Sequence, residues 1–203
     1  MIHDFFLQNT ILFSLTSAKD AGVILMNEIG VDPGIDHIAA VKIISEVHAK
    51  GGKINSFTSW CGGLPALDAI GDNPLKYKFS WSPRGVLMAT SNTAKYLWEG
   101  ELKMIEPQNL MLSAFDLNLH PDFQFDGYPN RDSTPYVQEY HIPEAKTVLR
   151  GTLRYKGFCK MMFYLRKLGL MDATERADLK SGAAKLQWKD LFASLIGAAS
   201  NSE

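Results

Sequence analysis

The sequence predicts an α/β (α+β) fold, a mixed β-sheet covered by helices, and three observations point to it. Gly22 to Met26 is a short apolar run with a β-branched centre; it stops at a polar turn and gives way to a helical pattern over 35–50. Thr147 to Tyr155 alternates as a strand, which places Arg150, Thr152 and Arg154 on one face. From Phe158 onward the apolar residues recur at spacings of three and four, the mark of amphipathic helices.

Taken in order, the run at 22–26 reads as a strand buried on both faces, as in a parallel sheet. Asp32 is a suitable N-cap for the helix that follows and Pro33 suits its first turn, while Gly51-Gly52 stops it. The helix carries an apolar stripe, Ile35, Ile38, Ala39, Ile43 and Val47, wide enough to cover a sheet face. Lys53 to Cys61 reads as a strand running into Cys61-Gly62-Gly63-Leu64-Pro65, where two glycines let the backbone approach a neighbour closely. Tyr77, Phe79 and Trp81 alternate with polar residues and predict another strand, followed by a helix over 84–93 with Ser82 as cap and Pro83 behind it. Residues 96–98 and 102–105 pair as a hairpin about Glu99-Gly100, a loop with a short helix near 110–115 follows, and a strand lies around 123–125. Arg131 stands in the polar loop 128–135, and short helices are expected at 158–168, 173–179 and 188–196.

The bulk properties exclude several classes. A chain of 203 residues with 46% hydrophobic and 21% charged residues is that of a folded globular protein, and no internal repeat or linker divides it. Its net charge of -1 lacks the surplus of cations that nucleic-acid binding requires. The apolar opening carries Asp4 where a secretion signal would be basic and is too short to span a bilayer, so no membrane partner is expected. Cys61 and Cys159 are the only cysteines and have no C-x-x-C spacing, which signals neither a metal site nor a disulfide framework and fits a reducing intracellular compartment. There is no G-x-G-x-x-G, Walker loop or G-x-S-x-G elbow. Asp32 therefore reads either as a helix cap or as a carboxylate at a strand-to-helix junction, where open α/β sheets place ligands. His37 reads as packed or surface-exposed, and Arg84 as either solvated or an anion contact.

The segments Val31 to His37, Cys61 to Ala66, Asp72 to Leu75, Tyr77 to Ser82, Tyr128 to Ser133 and Arg150 to Tyr155 stand in an order and spacing that resemble one family. That family is the glutamate-forming saccharopine dehydrogenases, or saccharopine reductases. The resemblance runs from about Ala18 to Ile196. It implies a non-matching extension at 1–17 and a substrate-binding domain at 18–203, of which about 157–203 is a helical insert. Trp188 to Ile196 and Arg154 to Gly157 resemble more closely the animal form, fused to a lysine-ketoglutarate reductase half as a bifunctional aminoadipic semialdehyde synthase.

The resemblance implies an oxidoreductase of the lysine–α-aminoadipate pathway that interconverts saccharopine with L-glutamate and aminoadipate semialdehyde, using NADP or NAD. It places nucleotide binding mainly in a Rossmann domain that this stretch starts too late to contain, so the isolated fragment is expected to be inactive. Arg131, Thr152, Leu153 and Arg154 would contact saccharopine, and Val31, Asp32, Pro33 and the Trp81–Ser82 turn would lie against the cofactor. Asp32 is the first candidate for handling protons at the reacting amine, Cys61 the second, and no metal is implied. Saccharopine bears three carboxylates and two amino groups, and forked guanidinium groups suit such a ligand. A homodimeric full-length protein is implied, mitochondrial if of the bifunctional animal type and cytoplasmic if free-standing. The competing expectation is a non-catalytic module for ligand binding or oligomerisation, motivated by the missing glycine fingerprint.

Overall fold

The computed structural model describes residues 15–26, 29–80 and 82–198. They divide into two units, Met1–Glu46 and Val47–Glu203. The division falls inside the helix Ile35–Ala49 and not at a linker.

In the first unit, residues 15–20 are helical and the expected strand at 22–26 is absent. Val23 is 58% and Ile24 84% exposed. Apolar character alone does not make a strand: the backbone N–H and C=O groups need neighbouring strands, and among the described residues none pairs with this run. Asp32 is not the helix cap. The turn ahead of the helix closes on itself, Gly30 N donating to Pro33 O (3.2 Å) and Ile35 N to Gly30 O (3.0 Å), so Asp32 and Pro33 stand before the helix. Asp36 takes up the Gly34 N–H instead, at 2.9 Å. The helix does not present one buried stripe: Ile44 is buried, whereas Ile35, Ile38, Val41 and Ile43 are exposed. Its apolar residues run nearly all round, so the pattern names no single inner face.

The second unit is built on a six-stranded mixed sheet of β1 (Ser56–Cys61), β2 (Ala94–Trp98), β3 (Glu101–Ile105), β4 (Phe115–His120), β5 (Phe123–Pro129) and β6 (Thr147–Tyr155). The order is β3-β2-β6-β5-β4, with β1 parallel to β6 on its other side. β6 is the hub because its nine residues reach three partners: β1 over Thr147 to Thr152, β2 at Val148 and β5 from Gly151 to Tyr155. The hairpin between β2 and β3 turns on Glu99 and Gly100, both at positive φ (52° and 84°), the mirror-image turn that matches strand twist.

β4 was hidden from pattern reading although Phe115, Leu117 and Leu119 do alternate, because Asp116 and Asn118 between them are poor strand formers. Over its described residues 77–80 and 82 the expected strand is absent and the chain is a loop, and Tyr77 is a core residue at 5% exposure. The helices Pro83–Ala89, Phe158–Lys167 and Trp188–Ile196 form where expected, the first shorter than predicted, while 173–179 contains only the single turn Ala177–Leu179. Tyr77, Val86, Leu110, Tyr128, Phe158 and Met162 make the core on one side of the sheet. On the opposite side the Trp60 ring lies across Gly127 and Gly151, where a Cβ would come within 2.8 Å and 2.2 Å of it.

Candidate functional site

Strand alternation carries Arg154, two residues beyond Thr152, onto the face of β6 that the core covers. Its side chain is 7% exposed. The guanidinium carbon lies 4.8 Å from the centre of the Tyr77 ring and 5.4 Å from that of Phe158. Nη1 donates to the Leu153 carbonyl at 2.8 Å, and buried Nε has no hydrogen-bond partner. Among the described residues no carboxylate forms an ion pair with it. The cross-strand neighbour Asp126 is committed elsewhere, accepting from Gly157 N (3.0 Å) and Cys159 N (3.1 Å) and lying 3.5 Å from Lys156 Nζ. A buried cation without a counter-charge is costly, and an unsatisfied buried donor costs about 1–3 kcal/mol more. Such a group is set up to receive an anion.

Sheet register brings other predicted residues beside it. Cys61 on β1, Thr152 on β6 and Tyr128 on β5 stand in one row across the sheet. The chain then leaves β1 through Gly62, where a Cβ would fall 2.0 Å from the Leu153 oxygen and 2.9 Å from Arg154 Nη1. Of the two glycines noted in the sequence, Gly62 thus allows close approach to another segment of this chain, whereas a Cβ at Gly63 would meet nothing. The site is strongly desolvating. Burial pushes the Tyr128 hydroxyl pKa up, against the pull of the Arg154 charge. The Cys159 thiol is pushed far up by burial and then by the Asp126 carboxylate.

Arg131 lies in the same unit but not in this cluster. It is exposed and holds a left-handed backbone (φ 51°), with its carbonyl accepting from Lys95 N at 2.8 Å. Ser133 anchors the loop from within, its N–H donating to Lys95 O (2.7 Å) and its hydroxyl accepting from Arg150 N (2.9 Å). β5 ends at Pro129, opposite Gly151, and Arg131 stands two residues past that end, whereas Asp126 within the strand is the residue opposite Arg154.

Val31, Asp32 and Pro33 form an exposed turn in the other unit. Trp81 lies outside the described residues, and Ser82 is exposed, its hydroxyl accepting from Gly85 N at 3.2 Å as the expected helix cap. The described residues contain no cluster of His, Cys, Asp or Glu suited to a metal and no helix long and apolar enough to cross a membrane. Pattern reading missed Tyr77 and Phe158 as parts of the site. The signal available was only that both are aromatic and stand near segments already of interest.

A family model described as Saccharopine dehydrogenase C-terminal domain matches residues 30–200, which contain this whole cluster. The chain belongs to the saccharopine dehydrogenase family. It is 52% identical over 92% of its length to the saccharopine dehydrogenase [NADP(+), L-glutamate-forming] of Schizosaccharomyces pombe, of which it spans 41%. The mitochondrial alpha-aminoadipic semialdehyde synthase of Bos taurus is 44% identical over 92% of the chain, which covers 20% of that protein. Among solved structures, the apo saccharopine dehydrogenase (L-Glu forming) of Saccharomyces cerevisiae superposes with a TM-score of 0.79 at 48% identity, covering 89% of this chain and 40% of that one. The chain thus spans about two fifths of the length of these fungal saccharopine dehydrogenases. Identity is higher to these fungal proteins, 52% and 48%, than to the bovine protein at 44%.

Proposed function

We propose that this chain is the substrate-binding part of an NADP-dependent, L-glutamate-forming saccharopine dehydrogenase, with Arg154 receiving a carboxylate of saccharopine. The observation that carries this reading is the buried, aromatic-flanked Arg154 with no carboxylate partner and an unsatisfied Nε. Thr152, on the same strand face, adds a hydroxyl donor. Arg131, in the loop past the end of β5, serves another carboxylate of the tricarboxylate. We assign proton handling to Cys61, in register with Thr152 across the sheet, and as a separate expectation to Asp32, in the turn before the helix Ile35–Ala49. The names of the fungal relatives, which specify NADP(+), support that nucleotide.

The described residues do not themselves fit a dinucleotide. Val31 offers exposed apolar surface, the Ser82 hydroxyl is already taken by Gly85 N, and no glycine-rich phosphate cradle is present. We assign nucleotide binding, and with it the redox step, to the part of the relatives that this chain does not span. Cys61 and Cys159 are not joined in a disulfide, which accords with a reducing intracellular compartment, and pairing into a homodimer would be a property of the longer protein.

Calorimetric titration of the chain with saccharopine tests the reading. The wild-type chain binds, and Arg154→Gln weakens binding by at least about tenfold, the equivalent of one charge-assisted hydrogen bond. NADPH alone gives no heat. Absence of saccharopine binding, or equal binding by Arg154→Gln, overturns the proposal.

A further inference from the structure

We infer that Tyr77 is a positioning residue that fixes the plane of the Arg154 guanidinium, and that Asn73 acts through it; the inference rests on Arg154 being the carboxylate site proposed above. The two rings meet as a corner, Tyr77 and Phe158 lying 5.7 Å apart at 65°, and the guanidinium fills that corner. The third side is the Gly62 backbone, packed against Leu153 O and Nη1. With Nη1 tied to Leu153 O, the plane of the fork is set and the edge bearing Nε is the one without a partner. A planar fork held in this way keeps its geometry for bidentate pairing before the ligand arrives, which lowers the entropy lost on binding.

Tyr77 holds its place without a strand. Asn73 accepts from Leu75 N (3.0 Å) through Oδ1 and donates from Nδ2 to the Tyr77 carbonyl (2.5 Å), so one side chain shapes the whole loop. Lys76, in a left-handed conformation (φ 48°), completes the bend that turns Tyr77 inward. This accounts for a segment that alternates like a strand but is a loop over its described residues 77–80: the buried Tyr77 ring is spent on Arg154. Tyr77 touches no substrate in this arrangement. Its ring also packs against Phe79 and Phe158, and the charged group it positions is Arg154.

Two readouts separate this inference from the proposal beneath it. The first is the Arg154 Nε–H resonance in a 15N correlation spectrum, which needs no ligand. A clamped, buried Nε–H exchanges slowly and gives a distinct peak in the wild-type chain and in Tyr77→Phe, which keeps the ring. Tyr77→Leu loses or broadens that peak, and Asn73→Ala, which removes the hydrogen bond to the Tyr77 carbonyl but keeps the ring, weakens its protection. The second readout is the saccharopine dissociation constant by calorimetry. Loss of the cation–π contact weakens binding by about five- to thirtyfold in Tyr77→Leu, whereas Tyr77→Phe stays within about twofold. If Tyr77→Leu fails to fold, Asn73→Ala against Tyr77→Phe decides the matter. A protected Nε–H and unchanged affinity in Asn73→Ala, or in a folded Tyr77→Leu, overturns the inference. Weak binding by Arg154→Gln beside unchanged binding by Tyr77→Leu refutes the clamp and leaves the substrate reading standing; a clamp signature without saccharopine binding does the reverse.

Discussion

Replacing Gly62 by alanine probes the join between the Cys61-Gly62-Gly63 loop and Arg154 with a single methyl group. The added Cβ would lie 2.0 Å from the Leu153 carbonyl oxygen, and an ordinary contact begins at 3.4 Å, so the two segments must part by about 1.4 Å. Neither side is free to yield. Leu153 is held in β6 by its pairing with Gly127, and the preceding residue Cys61 is paired with Thr152 of the same strand. Overpacking of this kind costs about 1–3 kcal/mol, and a loss of about 2 kcal/mol in a chain of this size lowers the melting temperature by about 4–8 °C. The same shift moves Leu153 O and Nη1, which it binds, so the guanidinium fork is misaimed and saccharopine affinity falls by about ten- to a hundredfold. Differential scanning calorimetry and ligand titration read the two effects. A Gly62→Ala chain that melts within about 1 °C of wild type and binds within about twofold would refute the reasoning.

Two further outcomes are expected. Glu144 accepts from Ile54 N (3.0 Å) and pairs with His48 Nε2 (2.7 Å), and the Ile54 hydrogen bond, then the His48 bond, hold its pKa down at about 2. Because the folded value lies below the ordinary 4.5, the stabilisation is complete above that range and is lost as the pH falls toward 2. Melting curves between pH 6 and pH 2 should therefore fall less steeply for Glu144→Gln than for wild type, and parallel curves would contradict the assignment. The Cys159 thiol is buried with its pKa driven up, whereas Cys61 is half-buried at the end of β1. Iodoacetamide at about pH 8 should label Cys61 alone in the native chain, and Cys159 only after denaturation, as read by peptide mass spectrometry; native labelling of Cys159 would mean that the core beside Arg154 is open.

Elements whose own residues meet their structural demands were legible in the sequence. Thr147–Tyr155, the hairpin about Glu99-Gly100 and the helices Phe158–Lys167 and Trp188–Ile196 each carry a period or a turn that needs no distant partner to be recognised. So was half of the candidate site, because Thr152 and Arg154 share a strand face by alternation and Cys61-Gly62-Gly63 announces close approach. What Gly62 approaches, and that Arg154 is buried with Nε unsatisfied, follow from the parallel pairing of β1 with β6. Such pairing joins residues some ninety positions apart and leaves no local mark.

Tertiary context also reversed two readings, each for the same reason. The apolar run at 22–26 has no described strand beside it to pair with, and Tyr77, Phe79 and Trp81 alternate in a segment whose turn residue Asn73 bends the chain toward Arg154. Local pattern determines what a segment is able to become, through side-chain period and turn chemistry. Which partner takes up its backbone groups and its buried face is a non-local matter, and the buried ring of Tyr77 finds that partner in the guanidinium of Arg154.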